Sequence, residues 1–347
     1  MQAVTFTDRG GTDVIEYQEV PDPEVGDDDV LVDVKAGALN HLDVWVRRGL
    51  PGVDLEMPHV PGSDAAGVVT EVGEDVTRFA PGDRVALTAG VSCGECEFCR
   101  DGDGPLCVNY HLIGEHVPGV HAEFAAIPAE NLIPVPEGVD WETAGSSTLV
   151  FQTAWRMLID RAELQAGESV LVLGASGGVG HAALQIADHA GAEVYATGSS
   201  EEKLAYAEDH GADHVVNYEE ENFAKWVRAE TGKRGVDVVV DYIGAGTWQD
   251  SIKSLAKGGR LVTCGGTAGP APETDIPRIF WNQLSILGST MATPGQIDDV
   301  MDLVWDGTFE PAIRETLPMS ETVRAHELLE GREGFGKVIV VPDSELD

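Results

Sequence analysis

The chain contains 347 residues, of which 60 are acidic and 22 are basic, so its formal net charge at pH 7 is −38. This sign disfavours nucleic acid as a partner, because phosphates are bound through lysine and arginine. No stretch approaches the roughly 18 apolar residues that a membrane helix needs. The length suggests two domains, and a hydrophobic content of 43% is enough to build their cores.

The acidic residues are spread along the chain and are not gathered in one tail. Their mutual repulsion weakens a compact fold at low salt, whereas at about 1 M salt the Debye length falls to about 3 Å and the repulsion is screened. We therefore predict a halophilic protein that is adapted to a salt-rich cytoplasm. The segment Met1–Gly10 has neither the basic nor the apolar part of an export signal, which agrees with a cytoplasmic location.

Residues 1–125 consist of short apolar runs that are separated by glycine, proline and aspartate. Val30–Val34, Gly67–Val72 and Arg84–Leu87 are examples of these runs. Proline is frequent between them, which argues against long helices. The pattern predicts a β-rich domain with many turns.

A cluster of cysteines interrupts this domain in a lobe that spans residues 92–110, with the spacing C-x2-C-x2-C-x7-C. Its members are Cys93, Cys96, Cys99 and Cys107. Four thiolates on a tight loop can surround one tetrahedral Zn²⁺ and leave no position open, so the spacing predicts one structural zinc per chain. A four-cysteine iron–sulfur cluster is the alternative, and disulfides are disfavoured in an intracellular protein.

From about Ser169 onwards, continuous apolar runs alternate with segments of helical spacing. The predicted strands are Ser169–Gly174, Glu193–Gly198, His214–Tyr218, Val236–Ile243 and Gly259–Gly265, and the predicted helices include Gly178–Gly191 and Glu201–His210. This alternation predicts an α/β domain with a doubly wound parallel sheet. After two further helices, a last strand is predicted at Lys337–Val341.

A glycine-rich loop joins the first of these strands to its helix, and it reads G-x-x-G-x-x-G from Gly174 to Gly180. Glycine lets the backbone approach a pyrophosphate, which also meets the free N–H groups of the helix N-terminus. In this strand–helix context the motif predicts a dinucleotide site. The residues assigned to the loop are Gly174, Gly177, Gly178, Val179 and Gly180.

The end of the second strand decides which dinucleotide is preferred. An acidic residue there would bind the ribose 2′-hydroxyl of NAD(H). Ser199 and Ser200 stand there instead, with Lys203 one turn into the helix. Two hydroxyls and a cation suit a 2′-phosphate, so we predict that NADP(H) is preferred over NAD(H). Tyr218 is predicted beside the adenine and Gly265 at the end of a further strand of the site.

Several motifs occur in this order in one superfamily, and with them the chain resembles the medium-chain dehydrogenases/reductases. Besides the cysteines and the glycine loop, these motifs are Ala38–Asp43 (ALNHLD), Gly62–Val69, Pro81–Val85, Ala122–Phe124 and Gly336–Val338. The branch that it resembles contains zinc-binding alcohol dehydrogenases and quinone oxidoreductases.

The resemblance implies a GroES-like catalytic domain, residues 1–127 plus 271–347, in which a Rossmann-type domain, residues 128–270, is inserted. The active site is then expected between the two domains. The resemblance also implies a homodimer or homotetramer that pairs through a strand at Leu284–Thr290.

The chain departs from the superfamily at the catalytic zinc. The usual cysteine ligand corresponds to Asn40, the Gly-His-Glu triplet to Gly62–Asp64, and Ser147–Gln152 contains no third ligand. Leu42 also replaces the hydroxyl that relays the alcohol proton. Quinone and enone reductases of the superfamily carry asparagine at the Asn40 position, where it is expected near the nicotinamide.

Three further polar residues are predicted to serve this site. Asp43 is expected to hold a loop through backbone hydrogen bonds, Asp64 to pair with Arg47 or Arg48, and His116 to donate a proton to the substrate. The predicted function is NADPH-dependent hydride transfer to a small conjugated carbonyl such as a quinone or enone. The alternatives are an NADP-dependent alcohol dehydrogenase with a nonstandard metal site, and a redox-responsive binding protein.

Overall fold

The computed structural model describes residues 1–331 and 334–345. The chain forms two compact units. The first contains Met1–Leu149, Met301–Glu333 and Lys337–Asp347, and the second contains Val150–Val300 and Gly334–Gly336. None of the helices in the described ranges combines the length and the apolar content that crossing a membrane requires.

The strands in chain order are β1 (Gln2–Phe6), β2 (Ile15–Glu19), β3 (Asp29–Ala38), β4 (Ala65–Val72), β5 (Arg84–Leu87), β6 (Gly90–Val91), β7 (His111–Leu112), β8 (Phe124–Pro128), β9 (Leu132–Pro134), β10 (Ser169–Val172), β11 (Glu193–Gly198), β12 (His214–Asn217), β13 (Val236–Val240), β14 (Leu255–Thr263), β15 (Ser285–Gly288), β16 (Ile313–Pro318) and β17 (Lys337–Val341). The helices are α1 (His41–Arg48), α2 (Glu97–Arg100), α3 (Trp141–Trp155), α4 (Gly178–His189), α5 (Glu201–Asp209), α6 (Phe223–Glu230), α7 (Trp248–Ser254), α8 (Ile276–Asn282), α9 (Pro294–Trp305) and α10 (Thr322–Gly331). A π-helical segment, Arg156–Arg161, continues α3.

The first unit is built around a seven-stranded sheet in the order β16-β17-β3-β4-β5-β9, with β8 paired to β3. Strand β3 pairs antiparallel with β4, β8 and β17, so it lies at the centre of this sheet. Val30, Val32 and Val34 are buried at alternate positions, as the period of two in a strand requires. This β-rich unit confirms the predicted class of the first domain.

The second unit contains a six-stranded sheet in the order β12-β11-β10-β13-β14-β15, in which each pairing is parallel. All four residues of β10 are buried, because a parallel sheet is covered on both faces. The strand order reverses between β10 and β13, as in a doubly wound sheet. The predicted α/β architecture is therefore confirmed.

The boundaries of the two units differ from the predicted ones. The second unit extends to residue 300 because β15 adds to the sheet beside β14, well beyond the predicted end at residue 270. It begins at Val150 because β8 and β9 pair with β3 and β5 of the first unit. Strand β16 was not predicted, and four residues of the predicted first domain, 332, 333, 346 and 347, lie outside the described residues.

Candidate functional site

The four cysteines of the lobe converge, as their spacing predicts. The Sγ atoms of Cys93, Cys96, Cys99 and Cys107 all lie within 4.8 Å of one another. The backbone N–H groups of Cys93 and Asn109 donate to Cys107 Sγ at 3.2 and 3.3 Å. Such donors favour thiolates, and four thiolates at this separation fit a closed tetrahedral Zn²⁺ site.

The glycine loop is packed so closely that its glycine positions have no room for side chains. A loop without side chains lets a pyrophosphate approach its backbone, as dinucleotide binding requires. Gly174 has a φ of +61°, which favours glycine. A Cβ atom at Gly180 would lie 2.4 Å from the carbonyl oxygen of Gly174 and 2.6 Å from the hydroxyl of Tyr242. Gly177, the N-cap of α4, contributes no side-chain cap, so the first turn of α4 keeps free N–H groups for a phosphate.

The side chain of Tyr242 contacts the glycine loop. This contact was not predicted from the sequence. Its hydroxyl donates to the carbonyl oxygen of Gly174 at 2.7 Å. A Cβ at Gly174 or Gly177 would lie 3.0 or 3.4 Å from the same hydroxyl. Burial raises the pKa of this phenol, so it stays a donor. Gly174, Gly177 and Gly180 therefore all lie close to the hydroxyl of Tyr242. Tyr242 is 68 positions from Gly174 in the sequence.

The residues predicted at the ribose lie where β11 ends. Ser200 is the N-cap of α5, and its hydroxyl accepts from the backbone N–H of Lys203 at 3.4 Å. Tyr218 is 44% exposed, and its N–H donates to the carbonyl of Gly198 at 3.1 Å. Gly265 follows β14, and its carbonyl accepts from Thr263 Oγ1 at 3.1 Å. Ser199 and Ser200 directly follow β11, Lys203 lies in the first turn of α5, and the backbone of Tyr218 pairs with Gly198 at the end of β11. Their binding of the ribose stays a prediction.

A second cluster lies in the first unit, where α1 and β17 bring buried polar side chains together. Lys337 Nζ contacts Asn40 Oδ1 at 2.5 Å and Asp64 Oδ2 at 3.1 Å. These three side chains are 5%, 7% and 0% exposed, respectively. Thr148 Oγ1 donates to the other oxygen of Asp64 at 2.8 Å. We call Asn40, Asp64, Thr148 and Lys337 the lysine cluster.

Asp43 holds the backbone around this cluster. Its carboxylate accepts from the N–H of Asn40 at 2.7 Å and from the N–H of Gly62 at 3.0 Å. Asn40 and Asp43 thereby form a capping box at the start of α1. Asp43 thus makes the backbone contacts that were expected of it.

The partner predicted for Asp64 was wrong. Arg47 and Arg48 both pair with Glu330 in α10, whereas Asp64 pairs with Lys337. The sequence gives little sign of this pairing, because Lys337 precedes the apolar run of β17 and lies 273 positions from Asp64. The signal that was available is the Gly336–Val338 motif, in which Lys337 is the one charged residue.

His116 lies in a different part of the first unit. Its Nδ1 accepts from the N–H of Leu112 at 3.3 Å. The neighbouring Glu115 is largely buried, and this burial raises the pKa of its carboxyl group. No hydrogen bond joins His116 to the lysine cluster within the described ranges, so its predicted catalytic role stays a prediction.

The lysine cluster does not fit the zinc that catalyses alcohol oxidation. Zinc binds thiolate, imidazole and carboxylate. The corresponding positions here offer an amide, a hydroxyl and a single carboxylate, that of Asp64, which already has an ammonium 3.1 Å away. Among residues 1–331 and 334–345, the four cysteines are the one group of Cys, His, Asp or Glu whose ligand atoms converge.

Comparison with known proteins agrees with this division of the chain. A profile described as "Alcohol dehydrogenase GroES-like domain" matches residues 26–137, and one described as "Zinc-binding dehydrogenase" matches residues 178–306. The chain is 32% identical over 341 residues to an acryloyl-coenzyme A reductase of Metallosphaera sedula, covering 98% of this chain and 99% of that protein. It is also 32% identical over 351 residues to a quinone oxidoreductase of Pseudomonas aeruginosa, covering 98% and 99%.

A solved structure described as "NAD-dependent alcohol dehydrogenase" matches with a TM-score of 0.94 and 44% identity, over 98% of this chain and 99% of that one. Similarity of this extent covers both units. The chain therefore belongs to the medium-chain dehydrogenase/reductase superfamily, and it is an NAD(P)-dependent oxidoreductase.

Proposed function

We propose that this protein reduces a small conjugated carbonyl, an enone or a quinone, with NADPH, and that it does so without a catalytic zinc. The observation that carries the proposal is the contact of Lys337 Nζ with Asn40 Oδ1 and Asp64 Oδ2. A positive charge already stands among the positions at which other superfamily members hold zinc. A dication there would be repelled by the ammonium.

The lysine cluster can donate a hydrogen bond to the oxygen of such a substrate. An ammonium has three N–H donors, and two of those of Lys337 are used by Asn40 and Asp64. The third has no protein partner within the described residues, and we propose that it stabilises the charge that develops on the substrate oxygen. When bound, the nicotinamide supplies two electrons and one hydrogen as hydride. A proton, from His116 or from water, completes the reduction.

A conjugated acceptor suits this arrangement better than an alcohol does. In an enone or a quinone, the incoming electron pair is delocalised onto an oxygen that needs donors and a proton. An unactivated alcohol or ketone gains more from a metal that polarises its oxygen. The names of the acryloyl-coenzyme A reductase and the quinone oxidoreductase described above also refer to conjugated acceptors.

We propose that the protein binds NADPH in preference to NADH. We also propose that it holds one structural zinc per chain. The absence of an acid from Thr197–Ser200 and the presence of Lys203 support the first part. The convergence of four Sγ atoms supports the second.

We also propose that copies of the chain pair through the sheet edge at β15. Ile286 on this strand is 37% exposed, and Phe280 and Trp281 on α8 are 62% and 78% exposed. An open edge beside an apolar surface is suited to pairing with a second copy. Light scattering would show a dimer or tetramer, and Trp281→Ser together with Ile286→Lys should shift the mass towards the monomer. A monomeric wild-type protein would contradict this proposal.

The function is tested by a substrate screen combined with metal analysis. NADPH oxidation would be measured with 3-buten-2-one and with 1,4-benzoquinone, and NADP⁺ reduction with primary and secondary alcohols. We expect activity with the conjugated acceptors, no activity with the alcohols, and one zinc per chain. Turnover of alcohols together with two zinc ions per chain would refute the proposal.

That second outcome defines the competing function, a zinc-dependent alcohol dehydrogenase with a nonstandard metal site. It is favoured by one specific observation, the 44% identity to a structure described as an NAD-dependent alcohol dehydrogenase. It requires Lys337 to leave Asp64, because the carboxylate must then bind the metal. Mutating Asp64 to Asn should abolish binding of the second zinc if this alternative holds.

A further inference from the structure

The second unit carries a cationic cavity that the proposed function does not use. It has a volume of about 400 Å³ and lies between α6, α7 and the start of α8. Its lining residues are Asn222, Ala224, Lys225, Arg228, Asp250, Lys253 and Arg278. None of them belongs to the glycine loop or to the group Ser199–Lys203.

The charge of the cavity is opposite to that of the protein. Four of its seven lining residues are basic, although the whole chain has only 22 basic residues against 60 acidic ones. The one acidic residue, Asp250, accepts from Asn222 Nδ2 at 2.6 Å and pairs with Lys253 Nζ at 2.7 Å. Asp250 therefore neutralises Lys253, and no second acidic residue is among the lining residues to neutralise Lys225, Arg228 and Arg278.

Arg228 forms the fixed wall of the cavity. Its guanidinium donates to four backbone carbonyls, those of Lys253, Lys233, Arg234 and Leu255, at 2.7–2.9 Å. These carbonyls orient the group but carry no net negative charge. Burial lowers the pKa of Arg228, and the neighbouring charge of Arg278 lowers it further, so repulsion between the two cations is built into the fold.

Lys225 and Arg278 are the two cations that remain available. Lys225 is exposed on α6, Arg278 is half-buried on α8, and neither side chain forms an ion pair in the part of the chain that the structure describes. A ligand with two or more negative charges would relieve the repulsion among these groups. Lysine and arginine bind phosphate oxygens through short, charge-assisted hydrogen bonds.

We propose that this cavity is a second anion site, which binds the phosphate or diphosphate group of a small phosphorylated molecule. Lys225 and Arg278 would contact the phosphate oxygens directly, and Arg228 would contribute its fixed charge. The site is independent of the proposed hydride transfer, because it shares no residue with the glycine loop or with the lysine cluster.

The test is calorimetric titration of the zinc-loaded protein, first saturated with NADPH so that the glycine loop is covered. The titrants are inorganic phosphate and pyrophosphate, in KCl of constant concentration. We expect one binding event per chain, with pyrophosphate binding more tightly than phosphate. Tighter binding of pyrophosphate would identify a diphosphate ligand, whereas equal affinities would identify a single phosphate group.

The decisive variant is Lys225→Gln combined with Arg278→Gln, which leaves the carbonyl contacts of Arg228 in place. It should weaken pyrophosphate binding by at least about tenfold, since two charge-assisted hydrogen bonds are lost. The matched control is Lys257→Gln, which removes an exposed lysine of β14 outside the cavity and should change the affinity less than about twofold. Failure of the wild-type protein to bind pyrophosphate, or equal weakening in both variants, would overturn the proposal.

Discussion

The ammonium of Lys337 lies 3.1 Å from the carboxylate of Asp64, and both side chains are buried. An unpaired charge in such a place is costly, because a low-dielectric surrounding replaces its hydration. The two groups therefore depend on each other, and Asn40 joins them by contacting both. Loss of either group should therefore lower the free energy of unfolding, which can be measured separately from catalysis.

Removing the ammonium with Lys337→Gln should lower the free energy of unfolding by about 3–5 kcal/mol, since Asp64 is then left buried without a counter-charge. Adding Asp64→Asn to the same chain should recover much of this loss. Urea unfolding at constant KCl measures both effects. The control is Lys35→Gln, whose ammonium pairs with Asp33 and Glu345 at a partly exposed position and should cost at most about 1 kcal/mol.

The same variants test the catalytic role of Lys337. Lys337→Gln should lower kcat with a quinone, and the double variant should keep the lowered kcat although its stability recovers. If activity returns together with stability, Lys337 has only a structural role.

Removing the hydroxyl of Tyr242 should affect cofactor binding and not the chemical step. Tyr242→Phe keeps the ring under the glycine loop but leaves the carbonyl of Gly174 without its donor. A hydrogen bond of this kind contributes about 0.5–1.5 kcal/mol, so KM for NADPH and for NADH should both rise about two- to tenfold while kcat stays the same.

A matched control is Tyr195→Phe, which removes a hydroxyl that donates to the Glu193 side chain at 3.2 Å. KM for the nucleotides should not change in this variant. A fall in kcat without a change in KM for Tyr242→Phe would show that the hydroxyl does not position the loop.

These two relationships show how far the sequence alone reaches. The bounds Glu193–Gly198 and Lys337–Val341 were predicted correctly, and the cysteines and the glycine loop were recognised, because each signal lies within a short stretch of chain. Tyr242 and Gly174 are 68 positions apart, and Lys337 and Asp64 are 273 apart. Such pairings follow from strand order and register, which periodicity does not specify.

Lys203 should discriminate between the two nucleotides. Lys203→Glu replaces a cation near the end of β11 by an anion, which repels a 2′-phosphate but not a 2′-hydroxyl. The dissociation constant for NADPH should rise by about tenfold to a hundredfold and that for NADH by much less. Fluorescence titration measures both constants. Lys257→Glu is the control for net charge, and equal weakening of NADPH and NADH by Lys203→Glu would refute the 2′-phosphate role.

His326 should make the protein less stable in mild acid. The side chain is 1% exposed, and both ring nitrogens lack hydrogen-bond partners among the described residues. Burial lowers its pKa from 6.5 to about 3, and the charges of Arg47 and His121 add to this shift. Below pH 6.5 the unfolded chain therefore takes up a proton that the folded chain does not. Stability is present above this pH and falls as the pH decreases towards 3.

Between pH 6.5 and 5.5 this histidine should contribute a mean slope of about 1 kcal/mol per pH unit, which approaches about 1.4 kcal/mol per pH unit at lower pH. Urea unfolding between pH 6.5 and 5.5 measures it, since most carboxylates stay ionised in this window. His326→Leu should make the slope shallower by about this amount. An identical slope in wild-type and His326→Leu protein would show that the ring is protonated in the folded state.

The net charge of −38 leads us to propose that the fold depends on salt. In dilute buffer the repulsion among the acidic groups acts over a Debye length of about 30 Å at 0.01 M, whereas at 1 M it is confined to about 3 Å. We therefore expect the midpoint of thermal unfolding to rise steeply with KCl. Sucrose of the same osmolality is the control, because it favours compact states without screening charge. If sucrose stabilises the protein as much as KCl does, preferential exclusion explains the effect and the halophilic interpretation is wrong.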